Sequence, residues 1–373
     1  MNIAIVCYPT FGGSGVLATE LGKALADTGH NIHFITYQQP VRLSGFHANI
    51  FYHEVRVPTY PLFDYPPYET ALASTMVDVV NNHDIDILHV HYAIPHAAAA
   101  YMAKQILAKQ NKKIPVITTL HGTDITLVGR DKTYSPVVTF SMEESDVLTA
   151  VSNNLKEETY RNFAITKPIE VIYNFVDVAR FNKKPVDAFK KLIAPNGERI
   201  IVHASNFRKV KRVDDVLQTF ILLNKTIPSK LLLIGDGPER VRLEQLTREC
   251  ECGHEIKFLG KQEQMEDILP IADLFLLPSE YESFGLAALE AMAAEVPVIS
   301  TNAGGLPEIN INGYCGYMSN IGDVEDMSRN AISILKDETT YQTFKANALM
   351  QAKKFDIQNI VPIYERLYER LMG

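Results

Sequence analysis

The chain has 373 residues, 46% of them hydrophobic and 21% charged, and a net charge of −8. That length exceeds what one hydrophobic core usually serves, so two domains are expected, and the acidic balance argues against nucleic acid or an anionic membrane as general partner. Four scattered cysteines are too few for a disulfide framework, no apolar run approaches a membrane span, and the opening Asn2-Ile-Ala-Ile-Val-Cys7 lacks the parts of a signal peptide, so a cytoplasmic protein is expected.

Strand-like runs are predicted at 3–7, 31–36, 85–91, 115–120, 147–151 and 170–173, with helical stretches between them that include 16–26 and 97–109. A second series follows at 200–204, 230–234, 256–259, 274–277 and 298–300, again separated by helices. This alternation predicts an α/β protein with two Rossmann-like domains, each a parallel sheet, facing each other across a cleft. The polar, turn-rich stretch 174–197 is the expected connection. The expected domains are 1–176 and 177–355, with the C-terminal segment 356–373, helical over 360–371, packing back on the first.

Gly13-Ser14-Gly15-Val-Leu-Ala18 follows the first strand and fits the dinucleotide fingerprint G-x-G-x-x-A. A dinucleotide enzyme needs an acid at the end of strand two, and the chain offers Thr36-Tyr-Gln-Gln39, so hydride transfer is not expected. The loop still presents backbone amides to an anion at a helix N-terminus. His89-Val-His91 places two rings on one face of a strand without an evident third ligand. Pro115 to Asp124 puts His121 just past a strand end, with Thr123 beside it. Tyr92, Asn153 and Asn174 also fall on strand-end loops, as neutral hydrogen-bonding groups suited to a small polyoxygenated acceptor.

Arg208, Lys209, Lys211 and Arg212 cluster after the first strand of the second series, where a Rossmann-like sheet faces its ligand. Their charge suits a diphosphate, although a charge run is more often a solvated face. Gly235-Asp-Gly-Pro238 reads as a structural turn. Cys250-Glu-Cys252-Gly-His254 lacks a second ligand pair, and no metal site is expected. The most informative segment is Ser279-Glu-Tyr-Glu282-Ser283-Phe284-Gly285-Leu286 to Glu290. It sets Glu282 at a strand mouth and Glu290 about a turn and a half into a helix, with free helix amides between them. A phosphate on those amides with a carboxylate on either side suits a nucleotide-sugar.

That segment, continued by Glu-Ala-Met-Ala and by Pro297 to Glu308, resembles the donor-binding core of retaining glycosyltransferases of family 4, which have the GT-B fold. The resemblance implies catalytic roles for His121, beside the transferred sugar, and for Glu282, on its hydroxyls. Glu290 would hold the ribose, and Gly15, Ser283, Phe284, Gly285 and Leu286 would line the donor. It implies no metal and no cofactor. Family members commonly carry Gly-Arg where this chain has Asn206, and their Lys falls at Lys211, so Arg208 is the expected substitute for the absent guanidinium.

Four further stretches extend the resemblance across most of the chain: Cys7 to Gly15, His89 to His96, Leu120 to Thr126 and Ser205 to Arg212. They resemble the family members that open bacillithiol biosynthesis. That implies UDP-N-acetylglucosamine as donor and L-malate as acceptor, with Gly13, Ser14, Tyr92, Thr123, Asn153 and Asn174 around the acceptor. Residue pattern alone stops at a sugar nucleotide and a small acceptor. A family 4 transferase with another acceptor, a UDP-N-acetylglucosamine 2-epimerase and a non-catalytic UDP-sugar sensor stay open. A homo-oligomer also stays open.

Overall fold

The computed structural model describes residues 1–10, 12–58, 61, 64–126, 128–129, 131–181 and 187–373, and in these residues thirteen strands form two parallel sheets. The first contains β1 (Asn2–Val6), β2 (Asn31–Thr36), β3 (Ile50–Glu54), β4 (Ile87–His91), β5 (Val116–Leu120), β6 (Val147–Ala150) and β7 (Ile169–Val171), in the order β3-β2-β1-β4-β5-β6-β7. The second contains β8 (Arg199–Ser205), β9 (Ser229–Gly235), β10 (Ile256–Gly260), β11 (Leu274–Leu277), β12 (Val298–Thr301) and β13 (Gly316–Ser319), in the order β10-β9-β8-β11-β12-β13. Each sheet is doubly wound and reverses its winding beside its first strand, between β1 and β4 and between β8 and β11. Ligands of such sheets bind outside the C-terminal strand ends at that reversal.

The central strands are continuous apolar runs because helices cover both faces of a parallel sheet. Ile3 to Val6 and Leu274 to Leu277 are buried throughout. Two strands absent from the sequence expectations, β3 and β13, are sheet edges. Ile50–Glu54 is largely exposed and ends in His53 and Glu54, while Gly316–Ser319 has glycine, tyrosine and serine among its four residues. An edge strand covered on few sides has no need of a β-branched run, so periodicity misses it.

The chain divides into two units, residues 1–174 with 358–373, and residues 175–357. The stretch expected to be mere connection instead contributes the helices Val178–Phe181 and Asp187–Ile193 to the second unit, with 182–186 outside the described residues. Val178 and Phe181 are buried, and Arg180 Nε donates to Glu266 at 2.8 Å. Lys190 of the second helix reaches Asp273, which is 1% exposed and also accepts from Ile200 N at 2.8 Å, Arg199 at 3.2 Å and the Tyr341 hydroxyl at 2.9 Å. This buried carboxylate ties that helix, β8 and helix Glu338–Ala352 together. Helix Ile357–Met372 buries Tyr364 and Tyr368, and the Tyr368 hydroxyl lies 2.8 Å from His89 Nδ1. In the described residues no helix is long and apolar enough to cross a membrane.

Candidate active site

In the second unit the strand ends on both sides of the winding reversal meet through an ion pair. Lys211, in the turn after β8, places Nζ 2.6 Å from Glu282 Oε1, in the loop after β11. Ser279 Oγ donates to the same oxygen at 2.8 Å, and Glu280 N donates to Val210 O at 2.8 Å, so the two loops are joined by side chain and backbone alike. Both recorded bonds fall on Oε1, and Oε2 of Glu282 has no hydrogen-bond partner in the described residues. Helix Leu286–Ala293 starts at Gly285, whose carbonyl takes the first amides, those of Ala288 and Leu289. The amides of Leu286 and Ala287 lie ahead of that ladder and face no intrahelical acceptor. Glu290 is the fifth residue of the helix and only 8% exposed.

Glycines shape this loop because backbone passes where side chains would be. Gly285 has φ +100°, and a Cβ there would come within 2.6 Å of Leu306. Gly304, at φ +59°, would bring a Cβ within 2.0 Å of the Glu282 carbonyl, while Gly305 N donates to that same oxygen at 2.7 Å. The glycine pair of the 297–308 stretch therefore buttresses the Glu282 turn. Gly235 and Gly237 do the same for the turn after β8, with Cβ positions 1.8 Å from Ser205 O and 2.1 Å from Asn206 O.

The basic run divides by role. Arg212 pairs with Asp215, in the first turn of the helix that follows it, at 2.6 Å, and Lys211 holds Glu282. Asn206, Arg208 and Lys209 are exposed, and Arg208 has no hydrogen-bond or ion-pair partner in the described residues. His203, under this loop, is fully buried between Leu276 O and Ser205 Oγ, each at 2.8 Å, and burial lowers it to about 4.

In the first unit, helix Gly13–Asp27 begins at the end of β1. Gly15 N and Val16 N already donate to Gly12 O, at 3.1 and 3.3 Å, so only Gly13 and Ser14 of the three loop amides precede the ladder. Gly15 is required for another reason: a Cβ would sit 2.4 Å from Tyr8 O. Phe11, in the same motif, lies outside the described residues. Across the winding reversal, Tyr92 follows β4 with φ +86°, a conformation rare for a bulky residue, and its hydroxyl meets Ser14 Oγ at 2.6 Å. Asp124 holds this turn: its carboxylate accepts from Ala93 N at 2.9 Å and Gly122 N at 3.0 Å, and burial pushes it up to about 6.

Beneath Tyr92 runs a ladder of imidazoles and hydroxyls. His91 Nδ1 and His121 Nε2 are 2.8 Å apart, His89 Nε2 lies 2.8 Å from Thr119 Oγ1, and Thr119 is bonded to Thr149 at 2.7 Å. The His96 ring donates through Nδ1 to the His91 carbonyl. Burial lowers His89 and His121 to about 3 and His96 to about 4, and lowers His91 as well, so this cluster is neutral at physiological pH. A neutral His121 can make hydrogen bonds but carries no imidazolium proton.

Of the acceptor-side candidates, Ser14 and Tyr92 are joined directly, and Tyr92 also packs its ring 5.1 Å from that of His121. Thr123 is exposed next to His121. Asn153 lies further along the sheet after β6, bonded to the Tyr173 hydroxyl at 2.6 Å. Asn174 is buried, and its Oδ1 has no partner in the described residues. The sequence placed His89 and His91 together on one strand face, as the contacts of their rings bear out, but gave no sign of the contacts made by Ser279, His203, His96 and Asp124, whose only signal is that of polar residues inside or beside apolar runs. In the described residues no group of three or more His, Cys, Asp or Glu is arranged to hold a metal.

Two doubly wound Rossmann-like units with polar strand ends at both reversals constitute the GT-B architecture. Solved structures with that arrangement cover the whole chain: HepE of Anabaena in complex with UDP and glucose (TM-score 0.82, 18% identity, 100% of each chain), and sucrose-phosphate synthase of Thermosynechococcus elongatus (TM-score 0.81, 22% identity, 100% of this chain and 99% of that one). The fold is thus GT-B. Residues 11–180 match the model of Glycosyltransferase Family 4, and residues 186–351 that of Glycosyl transferases group 1. The chain is 46% identical to the N-acetyl-alpha-D-glucosaminyl L-malate synthase of Bacillus anthracis, over 99% of this chain and 96% of that protein. It is 27% identical to an uncharacterized glycosyltransferase of Methanocaldococcus jannaschii, over 98% of this chain and 97% of that one. The chain belongs to glycosyltransferase family 4.

Proposed function

We propose that the chain transfers N-acetylglucosamine from UDP-N-acetylglucosamine to the hydroxyl of L-malate with retention of configuration, the opening step of bacillithiol biosynthesis. The observation that carries the donor half is the Lys211–Glu282 pair at 2.6 Å, set beside the open helix amides of Leu286 and Ala287. The 46% identity to the malate synthase supports the choice of sugar and acceptor. The second unit takes the donor. Lys211, Arg208 and the helix amides offset the charge of the departing UDP. Oε2 of Glu282 accepts from sugar hydroxyls, Glu290 from the ribose, and Asn206, Ser283, Phe284 and Gly285 complete the wall. The first unit takes malate on the Gly13 and Ser14 amides, Tyr92 and Thr123, with Asn153 at the margin. The unpartnered Oδ1 of Asn174 suits the proton of an acceptor hydroxyl. Neutral His121 positions the sugar.

UDP release measured with and without L-malate tests this reading. Malate-dependent release with formation of a glycosylated malate is expected. Release without acceptor would make the chain an epimerase, and UDP-sugar binding with no turnover would make it a sensor. Release that requires a different hydroxyl compound would reassign the acceptor.

Two substitutions probe the donor wall. Glu290→Gln is expected to weaken UDP-N-acetylglucosamine binding by about 1.5–3 kcal/mol, the worth of a hydrogen bond to a charged group. Unchanged affinity by calorimetry would remove Glu290 from the site. Arg208→Ala is expected to lower kcat about 10-fold without altering thermal stability, because the side chain is exposed and has no hydrogen-bond or ion-pair partner in the described residues. Full activity would show that Asn206 and Lys211 suffice.

A further inference from the structure

We infer that His91 is a positioning residue for the transfer: it donates from Nδ1 to Nε2 of His121, so that His121 meets the sugar as a hydrogen-bond donor through its own Nδ1. The inference rests on the proposed placement of His121 beside the transferred sugar. Its ground is the register of the first sheet. β4 and β5 pair in parallel with His91 opposite Thr119, and His121 lies two residues beyond Thr119 on the same face. The ring of His91 thus reaches diagonally to His121, at 2.8 Å from Nδ1 to Nε2.

At that separation one nitrogen carries the hydrogen and the other the lone pair. His91 decides which. Its ring is fully buried, stacked on His89 with centroids 4.6 Å apart, and its Nε2 has no partner in the described residues. A buried N–H without an acceptor is the costlier orphan, whereas an unpaired lone pair is better tolerated. The hydrogen of His91 therefore resides on Nδ1, Nε2 of His121 is the acceptor, and the hydrogen of His121 is on Nδ1. The backbone of His91 is held in turn by the Nδ1–H of His96. Burial keeps all of these rings neutral, so the arrangement persists through the physiological range. A neutral donor fixes a sugar oxygen without setting a positive charge beside an anomeric carbon that itself becomes cationic in the transition state.

Leucine and asparagine share a heavy-atom skeleton, and only asparagine can offer an N–H to His121. His91→Leu is expected to lower kcat about 10- to 100-fold with UDP-N-acetylglucosamine and L-malate, while KM for the donor changes less than about threefold. His91→Asn is expected to recover kcat to within about fivefold of the parent. Nitrogen-15 NMR of the wild-type protein with labelled histidines, the His121 ring assigned by through-bond correlation to its own backbone, is expected to show His121 as the Nδ1–H tautomer. The Nε2–H tautomer in the wild type would overturn the inference whether or not any variant folds. So would wild-type kcat in His91→Leu, or equal impairment of the leucine and asparagine variants. Absence of malate-dependent transfer by the wild-type protein would instead defeat the functional reading, and the tautomer would still be decided by NMR.

Discussion

Replacing Lys211 by alanine is expected to lower kcat by about 10²- to 10³-fold, the usual cost of losing a preorganised charge at a developing anion. The ammonium is 2.6 Å from Glu282 Oε1, and the two side chains are 19% and 14% exposed, so neither is freely screened by water. Without it, the Glu282 carboxylate keeps Ser279 as its recorded partner and adds unbalanced negative charge beside a diphosphate that becomes more negative as it leaves. Two unit charges about 4 Å apart interact by roughly 4 kcal/mol at a protein-like dielectric, so the loss is large whether it is felt in binding or in the transition state. The double variant Lys211→Ala/Glu282→Gln separates stability from catalysis. Removing the orphaned charge should return thermal stability toward the parent without restoring turnover. A single variant with kcat within threefold of wild type would show that Arg208 and the helix amides carry the leaving group unaided.

L-lactate is expected to be a poorer acceptor than L-malate by about 10²- to 10⁴-fold in kcat/KM, since it lacks the second carboxylate and leaves that carboxylate's donors without partners. The Gly13 and Ser14 amides precede the helix ladder, and the Ser14 hydroxyl is bridged to Tyr92 at 2.6 Å, which makes the loop after β1 and the turn after β4 a single preorganised wall. Asp124 fixes that turn through Ala93 N and Gly122 N, so the wall does not readily reshape around a smaller acid. Thr123→Val should reduce malate use more than donor affinity, because it removes one hydroxyl from the first unit alone. Comparable rates with malate, lactate and glycerol would return the acceptor to unknown.

The class of fold was legible in the sequence because parallel strands covered on both faces must be apolar throughout, and such runs as Leu274–Leu277 cannot be mistaken for solvated structure. The helix start at Leu286 was legible for a related reason, since Pro278-Ser279 ends an apolar strand run and a run of helix formers follows Gly285. The edge strands β3 and β13 were not, because an edge needs neither a continuous apolar run nor strict alternation. The basic cluster was legible only as a cluster. Its division into Arg212 on Asp215, Lys211 on Glu282 and exposed Arg208 depends on which carboxylates the fold brings near, and Lys211 and Glu282 are 71 positions apart. The imidazole ladder depends on strand register: His91 and His121 meet because β4 and β5 pair as they do, and a shift of one residue would turn His121 to the other face. Local sequence thus determined which elements form and where helix amides and candidate acids lie. Only the tertiary structure decided which side chains pair, which are neutral and which hold another in place, because pairing and burial are set by contacts between segments far apart in the chain.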